Sequence, residues 1–527
     1  MRSSFLGLEV SKRTVQIAQK SLDVAIGNES NTMTPGYTRQ RIDTNAYYMN
    51  SYKNWQTKTS RLSLAGQGVN AFGVSQVRDS YLDKRYREMN CYLSEYERKQ
   101  PILQEVENTI DLYENIGMDG ILAQFKESLA KYATNAPNNL ELATIVRNSA
   151  FDLTTMLNTY ARDFDKLLED NVFELKATVD YVNTLINKIV SYNNAIVKEY
   201  KATEYGNIDT GRGVSPYGPL ELLDDRNLVI DELSGYANLS VDENVDGSLK
   251  ITIGDIVMID GSKFEHIIMQ DYGQFDAAVL CASNGQQMNF RAGEVKAYLD
   301  LVNGNGPYAN HYQTSDYGIP YYRSAVDAFA EAFAMHMNNV NGTIESGLPV
   351  DTTRAMFGST LDVYDVDGNL VERGAINAAT IRISNEWMLD PSMIGLVPAR
   401  NDDGDIIGWA YAPNLDGNHA NELMMALEDT IKYGRALDFE GTPFDYIAFI
   451  SNRLGQGLQF LDEQRETSLT TTNNLLDSRD AVSGVSTDEE GINMLVYQKW
   501  YNAAARMMTA LDECLDKIIN GMGRVGL

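Results

Sequence analysis

Apolar residues recur at helical spacing near the start of the chain. At 100° per residue they fall on two nearly opposite stripes of one predicted helix. The first stripe contains Leu8, Val15, Ala18, Leu22 and Ala25, and the second contains Val10, Ile17 and Val24. A surface helix of a monomer needs one apolar stripe, so two stripes predict burial on two sides, by a partner helix and by a second element. A fully buried core helix is the alternative interpretation.

A longer apolar seam lies at the other end of the chain. Its 3,4 spacing is typical of the a/d positions of a coiled coil. The seam consists of Met494, Tyr497, Tyr501, Ala504, Met508, Leu511, Leu515, Ile518 and Met522. We predict that it packs on the N-terminal helix, so that residues 1–50 and 491–527 together form a coiled-coil terminal domain. Ordinary core packing is the alternative for most of these residues.

The middle of the chain contains a long helical pattern. Between Ile121 and Tyr205 there is no glycine and only one proline, Pro137. An unbroken helix over residues 143–200 would be roughly 85 Å long at 1.5 Å per residue. This predicts an elongated long-helix domain formed by residues 51–205 and 401–490. A second helical block, over residues 79–115, is expected to be interrupted at Pro101 and to pack beside the long helix.

The pattern changes after residue 205. Glycine, aspartate and β-branched residues become frequent, and short alternating segments such as 249–254 and 379–383 lie between turn signals. Such segments are typical of short strands. We predict one or more β-rich or mixed outer domains, inserted over residues 206–400, before the helical pattern returns at Asn421. The predicted fold class is therefore multidomain α+β with a nested order of domains.

The segment after the first helix has the composition of a structured polar loop. Gly27 is expected to cap the helix. Thr34 precedes a proline and should be extended, and Pro35-Gly36 suits the central positions of a type II turn. Asparagine and threonine side chains are expected to satisfy the backbone locally. The candidate loop residues are Asn28, Asn31, Thr34, Pro35, Gly36, Tyr37, Arg39 and Gln40.

Charge separates the two ends from the middle of the chain. The 527 residues include 44 Lys and Arg against 73 Asp and Glu, a formal net charge of −29. Residues 1–50 carry +2 and residues 491–527 carry +1, which leaves −32 for the residues between them. This balance argues against nucleic acid and anionic membrane as partners. Near-neutral ends are compatible with packing of copies against each other.

The sequence offers no recognisable reactive site. Three cysteines are too few for a disulfide framework, and Cys514, beside the C-terminal seam, is expected to be a small buried side chain. The segment Asp242 to Gly247 begins like a calcium loop, but Ile253 occupies its twelfth position, so a hairpin turn is expected. No metal-ligand spacing, nucleophile motif or phosphate-binding loop is found. We therefore expect no catalytic residue, no metal site and no cofactor.

Several segments together resemble a known family. They read TPGYTRQ at 34–40, GQGV at 66–69, VRD at 77–79, LLDDRN at 222–227, SGVSTDEE at 483–490 and YQKWYNAAAR at 497–506. This set is similar to the motifs of the hook-associated protein 1 family of bacterial flagellar axial proteins. The chain departs from the family pattern at Glu29-Ser30, Met33 and Trp500.

The resemblance implies a non-enzymatic structural role at the hook–filament junction. It further implies export by the flagellar type III apparatus, and residues 1–10 lack the apolar region of a cleaved Sec signal. The implied partners are other copies of the chain in a ring-like homo-oligomer, the hook protein, the second junction protein and a flagellar export chaperone. We expect the terminal helices to become fully ordered only when copies pack together.

Three alternatives stay open at this point. The chain could be a hook or rod-type axial protein, which would share the terminal motifs. An enzyme carried on the flagellum could occupy residues 206–400. The acidic outer part could also act as a surface adhesin.

Overall fold

The computed structural model describes residues 6–46, 68–111, 117–134, 139–204, 218–270, 277–343, 351–365, 370–400, 406–411, 419–434 and 439–521. These residues form mainly helices, several of them long, with small antiparallel sheets between them. The predicted combination of end helices, a long-helix part and inserted mixed segments is confirmed.

The helices are numbered in chain order. They are α1 (Leu6–Ser30), α2 (Ser80–Asp111), α3 (Met118–Ala133), α4 (Leu140–Glu204), α5 (Leu220–Tyr236), α6 (Glu294–Asn303), α7 (Ile319–Gly342), α8 (Asn385–Leu389), α9 (His419–Ala426), α10 (Pro443–Ser483) and α11 (Thr487–Asp516). Short 3₁₀ turns cover Gly306–Tyr308, Thr352–Arg354 and Pro391–Gly395, and a π-helical turn over Lys517–Gly521 follows α11.

The strands pair as hairpins and one larger sheet. They are β1 (Gln40–Ala46), β2 (Val69–Gln76), β3 (Leu239–Glu243), β4 (Leu249–Ile253), β5 (Ile256–Asp260), β6 (Lys263–Phe264), β7 (Ile267–Met269), β8 (Leu280–Ala282), β9 (Phe357–Ser359), β10 (Val363–Tyr364), β11 (Leu370–Glu372), β12 (Ile381–Ile383), β13 (Leu396–Arg400), β14 (Ile406–Tyr411), β15 (Ile431–Tyr433) and β16 (Phe439–Gly441). The sheet β3–β4–β5–β6 is antiparallel throughout, and every other described sheet has two strands. The turn between β3 and β4, with Gly247 at φ 79°, confirms the hairpin expected there.

The longest helix, α4, organises the centre of the molecule. It has 65 residues and would span roughly 95 Å at 1.5 Å per residue, so the predicted long helix is confirmed and extended at both ends. On one side of α4 the buried apolar residues Val182, Ile186, Ile189 and Ile196 follow helical spacing, and the buried polar residue Asn193 interrupts them. The Asn193 side chain accepts from Leu249 N at 3.2 Å and from Arg226 Nη1 at 3.0 Å. The polar break in the seam therefore joins α4 to the sheet and to α5.

The inserted segments share one apolar core with the long helices. A continuous cluster of buried apolar side chains extends from Ile102 to Leu461 and includes residues of α4, α7 and α10. The described part of 206–400 is mixed rather than β-rich, because it contains four helices beside its short strands. We call residues 80–483 the body. The domain limits expected from the sequence stay predictions.

Two helix boundaries differ from the sequence-based expectation. Helix α2 continues through Pro101, where an interruption was expected, and its main neighbour is α10 rather than α4. Packing along α10 compensates for the hydrogen bond that a proline cannot donate. Helix α1 continues through Gly27 to Ser30, where a cap was expected. The Asn31 side chain donates to Gly27 O at 2.9 Å and thus satisfies one of the final carbonyls.

Both chain ends form a separate unit, which we call the terminal module: α1, the hairpin β1–β2, the loop between them and α11. Helices α1 and α11 pack along each other. They are antiparallel, because a Cβ placed on Gly7 would lie 3.2 Å from Leu511 Cδ1, whereas Arg39, beyond the other end of α1, contacts Glu490. Val10 of α1 faces Gly68 at the hairpin. The predicted burial of α1 on two sides is confirmed.

Candidate assembly site

The predicted residues of α1 lie between α11 and the hairpin. Ile17 is buried, and the other five are half-buried: Leu8, Val10, Val15, Leu22 and Val24. Small residues fill the closest contacts, since Ala18 and Ala25 are each 1% exposed. Helix α1 therefore has both of its apolar stripes covered within the chain.

The predicted seam of α11 is covered less completely. Ala504 is buried, Met494, Tyr497, Met508, Leu511 and Leu515 are half-buried, and Tyr501 and Ile518 are exposed. Met522 lies outside the described residues. We call these residues from Met494 to Leu515 the inner seam: Met494, Tyr497, Tyr501, Ala504, Met508, Leu511 and Leu515. Leu511 lies against Gly7, so the inner seam contacts α1 at this position.

A second apolar stripe on α11 is exposed in the part of the chain that the structure describes. At 100° per residue it lies about 100° around the helix from the inner seam. We call it the outer stripe, and its members are Ile492, Val496, Trp500, Ala503 and Met507. Trp500 is 53% exposed and Met507 is 62% exposed. The spacing of these residues is visible in the sequence, but the stripe is not among the predicted assembly residues.

The loop after α1 has the turn that Pro35-Gly36 predicts. Tyr37 N donates to Thr34 O at 3.2 Å, and Gly36 has φ 78°. A positive φ at the third residue of such a turn identifies type II and favours glycine. A Cβ on Gly36 would lie 3.4 Å from Leu228 Cβ, so the turn also packs on α5. The predicted turn is confirmed.

Asn28 joins the last turn of α1 to the start of β1. Its Oδ1 accepts from Gln40 N at 3.0 Å and from the Tyr37 hydroxyl at 2.9 Å. Its Nδ2 donates to Gln40 O at 2.9 Å. Nearby, the Thr34 hydroxyl donates to Asn31 Oδ1 at 3.1 Å. The expectation that asparagine and threonine satisfy this loop locally is confirmed.

Arg39 connects the loop to the start of α11. Its Nε donates to Glu490 Oε1 at 2.8 Å and its Nη1 donates to Glu489 Oε2 at 2.9 Å. Glu490 is only 3% exposed, so its charge depends on this partner, whereas Glu489 is largely in solvent. The backbone N–H of Arg39 donates to Ser483 O at 2.8 Å. One residue therefore holds together the loop, the end of α10 and the start of α11.

Thr38 connects the loop to the body. Its hydroxyl donates to Asp224 Oδ1 at 2.6 Å and its N–H donates to Asp224 Oδ2 at 3.2 Å. Burial raises the pKa of Asp224, and the bonds from Thr38 oppose that shift. Burial, followed by the charges of Asp224, Glu490 and Glu221, raises the pKa of Tyr37 to about 12.

An ionic cluster supports the same side of α5. Arg87 Nε and Arg479 Nη1 both donate to Asp231 at 2.6 Å, and Arg78 pairs with Asp83 at 2.5 Å. Arg226, whose pKa burial lowers to about 10, donates to Gly247 O at 2.8 Å. In the sequence, only the family resemblance of segments 77–79 and 222–227 points to this cluster, because its contacts join residues far apart in the chain.

Cysteine and metal chemistry contribute little to the described structure. Cys514 is exposed, so the expectation of a buried side chain is wrong. At 100° per residue, Cys514 lies on the same side of α11 as the outer stripe rather than on the side of the inner seam. This position accounts for its exposure. Within the described ranges no group of three or more His, Cys, Asp or Glu residues could hold a metal ion. No described helix is both long enough and apolar enough to cross a bilayer.

Family models match two parts of the chain. Residues 103–348 match the model described as the flagellar hook-associated protein FlgK helical domain. Residues 480–521, which contain α11, match the model of the C-terminal region of the flagellar basal body rod FlgEFG proteins. The first match covers much of the body, and the second covers the C-terminal part of the terminal module.

Whole-length relatives have the same description. The chain is 26% identical to flagellar hook-associated protein 1 of Bacillus subtilis, over 99% of both chains. It is 21% identical to flagellar hook-associated protein 1 of Escherichia coli, over 95% of this chain and 97% of the relative. The solved flagellar hook junction protein FlgK of Burkholderia pseudomallei has a TM-score of 0.54 and 12% identity, and it shares the fold over 76% of this chain and 100% of that one. Over nearly its whole length, the chain is therefore similar to flagellar hook-associated protein 1.

Proposed function

We propose that this chain joins hook to filament by packing copies of its terminal module into a ring. The relatives and the helical-domain model that the chain matches are those of flagellar hook-associated protein 1, so the chain is taken as a structural, non-enzymatic component of the flagellum. The further step of the proposal is that the inner seam closes the module and the outer stripe joins it to a second copy.

The outer stripe of α11 carries this proposal. Trp500 and Met507 are large apolar side chains that are more than half exposed and lie on one side of a helix. Trp500 also contacts Tyr497, with ring centroids 5.7 Å apart, which limits its motion. Aromatic side chains whose motion is restricted in this way are frequent anchors of protein interfaces. A neighbouring module is the partner that best fits, because both chain ends are close to neutral.

The outer stripe also suggests where the hook protein, the second junction protein and an export chaperone would bind. The hook protein and the second junction protein would contact the two open sides of the ring. An export chaperone would cover the outer stripe before assembly, because an uncovered apolar stripe favours unspecific association.

A charge on the outer stripe tests the proposal. Trp500→Asp should leave α1 and α11 packed and the body folded, but it should prevent ring formation. Cells that produce only this variant should then have hooks without filaments in electron micrographs. Gln498→Glu is the matched control, since Gln498 is exposed on the polar side of the same helix.

Leu511→Asp separates the two apolar surfaces of α11. Because Leu511 lies against Gly7 of α1, this variant should open the module itself, and circular dichroism of the purified chain should show a loss of helix. Filament assembly by Trp500→Asp that equals that of Gln498→Glu would refute the proposed role of the outer stripe.

A further inference from the structure

The two chain ends leave the body side by side. Arg39 N donates to Ser483 O at 2.8 Å, and Val77 N donates to Arg39 O at 2.9 Å. The loop, the end of α10 and the segment that enters α2 are therefore joined at a single point. The chain leaves α10 at Gly484. A Cβ there would lie 2.5 Å from Asp480 O, so glycine suits this position.

The loop and the helices of the terminal module are held by different partners. Residues 36–39 contact the body, through Gly36 on Leu228 and Thr38 on Asp224. Thr38 is 3% exposed and Asp224 is 7% exposed, so these bonds are shielded from water. In contrast, α1 and α11 pack mainly on each other and on the hairpin.

We propose that residues 36–39 form an anchor that folds with the body and stays docked when α1 and α11 open. The inference rests on the proposed function, in which the terminal module is completed by a second copy. Undocking would remove the two bonds that Thr38 donates to the buried Asp224 carboxylate and leave it only Gln76 and Arg78, which is costly for a charged group. Opening the helix pair mainly exposes side chains that are already half exposed, and the buried apolar ones are few: Ile17, Ala18, Ala25 and Ala504.

The anchor would keep the two ends close to each other. With Arg39 fixed beside Ser483, only short segments separate the docked point from the last turn of α1 and from the start of α11. A short tether gives a high effective concentration of one helix near the other, so the pair re-forms within its own chain. The anchor thus favours pairing within a copy over exchange of α1 between copies.

Hydrogen exchange of the free full-length chain, followed by mass spectrometry, tests the anchor. The amides of Thr38, Arg39 and Val77 should exchange more slowly than those of α11 and of α1 before Asn28. In Asp224→Ala, exchange over residues 37–40 should rise by roughly tenfold or more, because the loop loses its charged acceptor. Asp225→Ala is the matched control, since Asp225 is the exposed neighbour.

Thr38→Val provides the second variant. It keeps the shape of the side chain and removes only the hydroxyl, and α4 serves as the reference for a folded body. If Asp224→Ala disturbs α4, Thr38→Val decides the outcome. Loop amides that exchange as fast as those of α1, or variants that equal Asp225→Ala, would overturn the anchor. Trp500→Asp should leave loop exchange unchanged, so failure of the proposed function is a separate result.

Discussion

The body and the terminal module are both helical, but they bury very different surfaces. In the body, apolar side chains from Ile102 to Leu461 form one cluster, and Trp387, Phe329 and Tyr446 are fully buried. Among the described residues of the module, the buried apolar side chains are Ile17, Ala18, Ala25 and Ala504, and its buried polar residues are Ser11, Ser21, Asn28, Thr38, Ser75 and Glu490. The module is thus held by small side chains and polar contacts.

This difference teaches that helical periodicity and helix stability are separate properties. Both regions have the apolar spacing that predicts a helix, but most helical stability in proteins comes from tertiary packing. The body buries a large continuous apolar core within one chain and leaves only single large apolar side chains such as Phe173 exposed, whereas in the described part of the module a whole stripe of α11 is exposed. Regions with few buried apolar contacts open at the lowest free energy. The module should therefore be the less stable region in the free chain.

The largest expected effect comes from truncating the aromatic core of the body. Phe329 stacks with Phe333, Tyr433 and Tyr446 and is fully buried. Phe329→Ala should lower the free energy of unfolding of the body by about 3–5 kcal/mol, through lost transfer energy and a cavity. Calorimetry of the purified chain should show this as a lower melting temperature of the main transition.

The module supplies a matched control for that truncation. Phe72 of β2 is 58% exposed, so Phe72→Ala should change stability by less than about 0.5 kcal/mol. If both truncations lowered the melting temperature of the main transition equally, the proposed contrast between a densely packed body and a module with few buried apolar side chains would be wrong.

A smaller effect is expected from the ionic contact that holds α11. Arg39→Ala leaves Glu490, which is 3% exposed, without its cation. The cost should be about 1–3 kcal/mol, because a buried charged group loses its partner. Hydrogen exchange over the first turn of α11 measures this loss directly. Arg41→Ala is the control, since Arg41 is exposed and pairs only locally with Asp43; equal effects of the two variants would contradict the role of Arg39.

The smallest effect concerns alkaline pH. The pKa of Tyr37 is raised from its ordinary value of 10.0 to about 12, mainly by burial. The folded loop therefore favours the neutral phenol, so this contribution is present below pH 10 and is lost as the pH rises towards 12. Thermal melting at pH 9–12 should show a steeper decline in the native chain than in Tyr37→Phe. Parallel curves would show that Tyr37 does not couple to folding.

Sequence reasoning succeeded where local rules determine structure. The absence of glycine and the presence of a single proline over 121–205 were sufficient to predict α4, and Pro35-Gly36 was sufficient to predict the turn. It failed at Pro101 and Gly27, where packing along α10 and the Asn31 side chain override intrinsic preferences. These two differences are cases in which tertiary contacts outweigh local propensity.

The candidate site was predicted in outline but not in its connections. The loop residues and both terminal helices were identified, because their composition and spacing are local signals. The bond between Thr38 and Asp224 joins residues 186 positions apart, and no local pattern encodes it. The outer stripe was visible as spacing, but only the structure shows that α1 covers a different side of α11.

Limited proteolysis of the free, full-length chain tests the central claim most directly. If the outer stripe needs a second copy, protease should cut first within α1 and α11 and clip the chain within roughly its first 50 and last 40 residues, while a folded body with the docked residues 36–39 remains. Mass spectrometry of the early fragments would locate the cuts. Cleavage that is equally slow at both ends and in the centre would show a module complete in a single chain, and would contradict the account.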